Sequence, residues 1–180
     1  MNETVKKVNY KNIIGKQAFF AKENRFAGTV KDIVFGLDQK KAVALILEKG
    51  LLPKLRPAVL FTDIVDILEN KVLIKSKFSM MTMKDVKRNH HNYMLGNYQG
   101  KKICNKTGKE YGRVYDIIIN LYTGAVEAIE ASDGLLQDAY NGRKLIPFMD
   151  QVEFASEMII LDKISEEEIS HCGGLKESNS

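Results

Sequence analysis

The chain has 180 residues, 44% hydrophobic and 28% charged, a balance that supplies a core and excludes a globally disordered polymer. Its net charge of +4 is unevenly spread: residues 1–80 carry 15 Lys and Arg against 8 Asp and Glu, a net of +7 that the remainder offsets. No stretch approaches the roughly 20 apolar residues of a spanning helix, and Cys104 and Cys172 match neither a CxxC redox pair nor a zinc knuckle.

The opening MNETVKKVNYKN lacks the apolar run of a signal peptide, so a soluble, cytoplasmic protein with reduced thiols is expected. The positive first half suits an acidic partner such as RNA, an anionic membrane surface or an acidic protein. A solvated surface explains it as well and is the preferred reading.

In chain order, short β-branched runs bounded by Gly, Asn or Asp predict strands rather than helices. A strand opens near Gly15 and runs to Phe20, and a turn spans 22–25. Strands over Val30 to Phe35 and Ala42 to Leu47 flank a turn at 36–40, an antiparallel hairpin. A loop with Pro53-Lys54-Leu55-Arg56-Pro57 leads to a strand over Ala58 to Phe61, a turn at Asp63 and a last strand over Val72 to Lys75.

The same order then recurs. A strand from Gly100 to Asn105 precedes the turn Lys106-Thr107-Gly108-Lys109, strands over Val114 to Ile119 and Val126 to Glu130 flank a turn at 120–124, and a loosely ordered loop holds Gly142-Arg143-Lys144. Strands over Lys144 to Phe148 and Met158 to Leu161 surround a turn at Asp150. Residue by residue, Gly28-Thr29-Val30-Lys31-Asp32-Ile33-Val34-Phe35 lies over Gly112-Arg113-Val114-Tyr115-Asp116-Ile117-Ile118-Ile119. The register continues without a gap through Gly50-Leu51-Leu52 and Gly134-Leu135-Leu136, and after a small length change Phe61 meets Phe148.

A duplicated unit of this size predicts two small domains: residues 1–78, a linker over 79–94, a second unit over 95–163, and a tail over 164–180. Five or six short strands per unit suit a small barrel, which buries one face of each strand and removes exposed edges. The fold class expected is therefore all-β, with two tandem barrels and a short C-terminal helix. That helix is expected from the capping-box pattern Ser165-Glu166-Glu167-Glu168-Ile169, with disorder from Gly173 onward.

The run from Gly112 to Asn120, followed by Thr123-Gly124-Ala125-Val126-Glu127-Ala128-Ile129 and Leu145-Ile146-Pro147-Phe148, resembles the PRC-barrel family, and the first copy resembles it too. The family is named for the cytoplasmic barrel of the photosynthetic reaction centre H subunit, and similar barrels end the ribosome maturation factor RimM. The resemblance covers roughly residues 10–78 and 95–163. It implies a non-enzymatic module for assembly or docking, with no catalytic residues to carry over. The first copy departs at Leu60, where the second has Pro147, and in the loop from Lys54 to Pro57.

Each polar candidate has a plain structural reading. Asp32 and Asp116 share a register and either accept local hydrogen bonds, the preferred reading, or face a partner. Gly28 and Gly112 give backbone freedom at a bend, since no GxGxxG or GxxxxGK[ST] cradles a phosphate. His90, His91, His171 and Cys172 lack ordered zinc spacing. Asp63 with Asp66, and Asp150 with Glu153, recur at matching positions as surface turns rather than as an acid and base. The Met-rich basic stretch from Phe78 to Met94 either packs across the barrels or enters a partner's groove.

No nucleophile, base and electrophile converge in the sequence, so no catalytic, cofactor or metal residues are assigned. The function expected is an intracellular docking or scaffold protein that binds another protein. The alternative is an RNA- or ribosome-associated factor in RNA processing or ribosome maturation, although no RNP-like aromatic platform accompanies the charge. The partner-binding residues stay unassigned, and a second copy of the chain and a peripheral membrane surface stay open as partners. Ile117→Asp is expected to destabilise the second unit by placing a charge in its core.

Overall fold

A computed structural model describes residues 6–36, 40–50, 57–88, 92–148 and 152–173. The chain divides into two compact units, Met1–Gly96 with Ile119–Ala125, and Asn97–Ile118 with Val126–Ser180.

In the first unit, β1 (Lys7–Asn9) and α1 (Tyr10–Ile13) precede β2 (Gln17–Phe20), β3 (Arg25–Gly36) and β4 (Lys41–Glu48). β5 (Pro57–Leu60), β6 (Ile64–Ile67), β7 (Lys71–Ile74), β8 (Met80–Thr82), α2 (Met83–Arg88) and β9 (Asn92–Met94) follow. The sheet runs β6-β7-β2-β3-β4-β5-β8, with β9 added on β3. β2 and β7 pair in parallel and the other pairs are antiparallel.

Strand pairing places Ile33 opposite Leu45 and Leu45 opposite Val59, and all three are fully buried, as are Ala18, Val72 and Ile74. The pleat turns Val34, Ala44, Ile46 and Ala58 to the opposite face. They too are buried, in a cluster with Val86 of α2 and with Val43, Met81 and Met83 packed against it.

The stretch expected as a linker is therefore part of this unit. β8 extends the sheet beyond β5, α2 covers an apolar outer face, and β9 pairs with the end of β3. α2 starts on a reciprocal cap: Asp85 Oδ2 accepts from the Thr82 N–H and hydroxyl, and Thr82 Oγ1 accepts from the Asp85 N–H. The sequence predicts that this Met-rich stretch packs across both barrels or enters a partner's groove; β8, α2 and β9 instead build onto the first unit.

In the second unit, β10 (Lys102–Asn105), β11 (Glu110–Asn120), β12 (Val126–Ser132), α3 (Leu135–Asn141) and β13 (Arg143–Pro147) lead to β14 (Glu153–Phe154), β15 (Met158–Leu161), α4 (Lys163–Glu167) and β16 (Ser170–Cys172). Its strands run β14-β15-β10-β11-β12-β13-β16, the same order as in the first unit, with β10 and β15 parallel. The main path of each sheet has seven strands among the described residues, rather than five or six. The added ones are short or lie beyond the closing strand, where two to four residues carry too little pattern to read.

The second core gathers Ile103, Val114, Ile117, Ile129, Ile146 and Ile159, with Tyr98 and Phe154 edge to face at 4.6 Å. Three expectations change here. The loop around Gly142 holds α3, framed by Gly134 and Gly142, both at positive φ. α4 begins earlier than the capping-box pattern predicts, because Asp162 caps it by accepting the Ser165 N–H at 2.9 Å, which leaves Ser165 inside the first turn and fully buried. The tail then returns as β16 on β13. Residues 174–180, the loop from Leu51 to Arg56, His90, His91 and Asp150 lie outside the described residues. No described helix is long and apolar enough to cross a membrane.

Candidate functional site

The first of the duplicated aspartates sits at a strand irregularity. In β3 the ladder to β4 shifts between Val30 and Asp32, and Asp32 Oδ1 accepts the Ile33 N–H at 2.7 Å, which the bulge releases from regular pairing. The same oxygen accepts from Tyr10 Oη and from the Gly96 N–H, both at 3.0 Å. Asp116, 4% exposed, likewise takes the Ile117 N–H at 2.8 Å. Both carboxylates accept the next residue's N–H, the local hydrogen bonding preferred from sequence, and Asp32 adds the long-range bonds from Tyr10 and Gly96.

The paired glycines stand where a neighbouring strand passes close. A Cβ on Gly28 would lie 2.9 Å from Glu48 O, and one on Gly112 would lie 2.7 Å from Ser132 O; both have positive φ. Asp63 closes a 3-10 turn. Asp66 pairs with Lys6, whose hydrogen bond holds the carboxyl below its ordinary range. His171 and Cys172 lie on β16, and no group of three His, Cys, Asp or Glu suited to a metal ion occurs among the described residues.

The sequence reading missed a cleft in the second unit. Along β10 and β15, Ile103, Ile159 and Leu161 point inward, while Cys104, Met158 and Ile160 take the opposite, half-buried face. These three form an apolar floor, with Cys104 Sγ 3.4 Å from Met158 Sδ. Two ion pairs stand at its rim, Lys102–Glu110 at 3.0 Å and Lys106–Glu153 at 3.9 Å. The open cleft has a volume of about 510 Å³.

One wall is the turn after β10, which Asn105 fixes. Its Oδ1 accepts the N–H groups of Thr107 at 3.0 Å and Lys109 at 2.9 Å, and Gly108 supplies the positive φ. Behind the turn, Glu166 of α4 accepts from Tyr111 Oη at 2.6 Å and from Asn105 Nδ2 at 3.2 Å. Burial and then this carboxylate push the Tyr111 hydroxyl above its ordinary pKa, so it stays a donor.

The first unit places other residues on the corresponding strands. Phe19 stands at the register of Cys104, because Ala18 pairs with Gly28 as Ile103 pairs with Gly112. Its ring meets Phe26 edge to face at 5.8 Å, and the Lys71 ammonium lies 5.9 Å from the ring centroid. The exchange of Phe19 and Phe26 for Cys104 and Glu110 across otherwise matching repeats was the available sequence signal. It goes unnoticed when only the conserved register is compared.

None of the curated proteins compared matches the chain. The PRC-barrel domain model matches residues 6–85 and again 91–168, the first span holding all seven strands of its sheet path and the second all of its path but β16. The chain is a tandem member of the PRC-barrel family.

Proposed function

We propose that the protein is a non-enzymatic docking module of the cytoplasm, and that the cleft of the second unit receives an apolar side chain of a protein partner. The observation that carries this reading is the floor of Cys104, Met158 and Ile160 beneath two opposed ion pairs. An apolar floor rewards burial of an aliphatic or aromatic anchor, and a polar rim orients the segment that bears it. Lysines and glutamates alternate around that rim, which suits a polypeptide carrying both charges and disfavours a phosphate backbone. Asp32 and Asp116, whose other reading was to face a partner, are engaged with backbone N–H groups, which leaves the cleft as the place for the partner.

A photo-crosslinking amino acid in place of Met158, introduced in the native cell, tests this. A discrete protein adduct that disappears with Ile160→Lys is the expected result. Adducts to RNA alone, or protein adducts indifferent to Ile160→Lys, would refute it.

The net of +7 over residues 1–80 favours a second reading, an RNA- or ribosome-associated factor. That reading requires RNA affinity that falls linearly in log–log form with salt. Affinity unchanged by salt removes it.

A further inference from the structure

The outward face of the parallel strand pair is built from different side chains in the two repeats. In the second unit it is the cleft floored by Cys104, Met158 and Ile160, with two lysines and two glutamates at its rim. In the first unit the same register places Phe19 on β2 beside Leu73 on β7, and Phe26 on β3 opposite Phe19. A bulge that leaves Ala27 unpaired makes this match, since regular pairing would set Ala27 there. Phe19 and Leu73 stay partly exposed between the buried Ala18, Phe20, Val72 and Ile74, and Phe26 is 36% exposed. Two phenylalanine rings from neighbouring strands thus share one open sheet face, edge to face at 5.8 Å.

Charge separates this face from its counterpart as well. Lys71 stands at the register of Met158, with its ammonium 5.9 Å from the Phe19 ring centroid. Asp66, at the register of Glu153, is taken up by Lys6. In the turn after β2, Arg25 pairs with Glu23 at 3.7 Å. Lys22 and Lys71 have no carboxylate partner among the described residues. Two unmatched cations therefore accompany the two rings, in the half of the chain with a net charge of +7.

We infer that this face binds a single strand of nucleic acid, one base stacking on Phe26 and the adjoining phosphates meeting Lys71 and Lys22. An open aromatic ring accepts any base, and nearby ammonium groups neutralise the backbone that joins one base to the next. RNA and single-stranded DNA share this chemistry. A duplex does not offer it, because its bases are already stacked on one another. A lipid surface suits the face poorly: Phe19, Phe26 and Leu73 are each more than half covered, so none projects into an acyl layer. The inference rests on the second functional reading, association with RNA, and gives that reading a location. The docking cleft of the second unit uses other residues.

Fluorescence anisotropy of the full chain with labelled oligouridine and oligodeoxythymidine of about ten nucleotides, repeated across salt concentrations, tests the inference. At least one single strand should bind, and the matching duplex should bind more weakly. Preference for oligouridine supports the inference with added contact to the 2′-hydroxyl, and equal affinity supports it through base and phosphate alone. Phe26→Leu, which keeps an apolar side chain but removes the ring, should weaken binding about tenfold with an unchanged salt slope, and Phe26→Tyr should restore it. Lys71→Gln should instead flatten the slope of log affinity against log salt by about 0.7. Both Phe26 variants are expected to keep the wild-type circular dichroism spectrum. Photo-crosslinking of an iodouridine-containing strand to the wild type reads the site without a variant, with the adduct expected on Phe26 or Phe19. Wild-type affinity in Phe26→Leu, an adduct only on other residues, or a duplex bound as tightly as a single strand overturns this site and leaves salt-dependent RNA association standing. Absence of affinity for every single strand at low salt overturns the site and the RNA reading together.

Discussion

Asp32 shows how one side chain organises a bend in the first unit. Its Oδ1 takes hydrogen bonds from Ile33 N, Gly96 N and Tyr10 Oη, and a Cβ on Gly96 would lie 2.7 Å from that tyrosine oxygen. Asp32→Ala leaves these donors without their acceptor, and a loss of about 2 kcal/mol is expected, seen as a drop of about 10 °C in melting temperature. Asp32→Asn keeps an acceptor oxygen and should recover part of that loss. An unchanged melting temperature for the alanine variant would contradict this role. Ile117, fully buried in the second core, gives the harsher case: Ile117→Asp is expected to lower stability by about 4 kcal/mol or more in denaturant titration.

Asp162 adds a pH-dependent term. Burial raises its pKa, but hydrogen bonds from Ser165 outweigh this and hold the carboxyl below its ordinary range. A depressed folded-state value means the stabilisation is complete above the unfolded pKa of about 3.9. It is lost as pH falls below that value and through the folded one. Asp162→Asn should flatten the acid limb of the stability curve relative to wild type, whereas a parallel curve would show that the cap carries no such linkage.

The strands were legible because β-branched runs alternate between inward and outward positions, and because the register of the first hairpin repeats in the second. Of the helices only α4 was, shifted by a few residues; α2 and α3 were not. α2 contributes Val86 to a cover over Val34, Ala44, Ile46 and Ala58, and six residues are too few for a helical period to stand out. The capping signature Thr82-Met83-Lys84-Asp85 was nevertheless present. Val86→Asp is expected to cost about 3 kcal/mol and Asp85→Ala about 1 kcal/mol, both read as shifts in denaturation midpoint. Equal stability of Val86→Asp would show that α2 covers nothing. α3 was hidden for the opposite reason: its leucines face outward, so no buried stripe announces a helix.

Across the chain, the repeat boundary and the boundary of the first compact unit differ. Residues Ile119–Ala125 come from the second repeat in sequence but belong to the first unit. There the Leu121 N–H donates to Lys6 O at 2.9 Å and the Ala42 N–H donates to Gly124 O at 2.8 Å. A fragment of residues 1–96 lacks these partners. Its Ala42 amide is expected to exchange faster than in the full chain, and its melting temperature to fall. Identical exchange in the two would assign the unit wholly to residues 1–96.

The sequence alone determined the duplicated all-β unit, the positions of its longer strands and its family, because side-chain alternation is a local property that a pattern of period two records. Only the tertiary structure decided that residues 79–94 build onto the first sheet, that Asp32 reaches Gly96 sixty-four residues away, and that Cys104, Met158 and Ile160 share one floor. Those outcomes depend on which distant strands become neighbours, and hydrogen bonding between strands leaves no trace in the residues that lie between them.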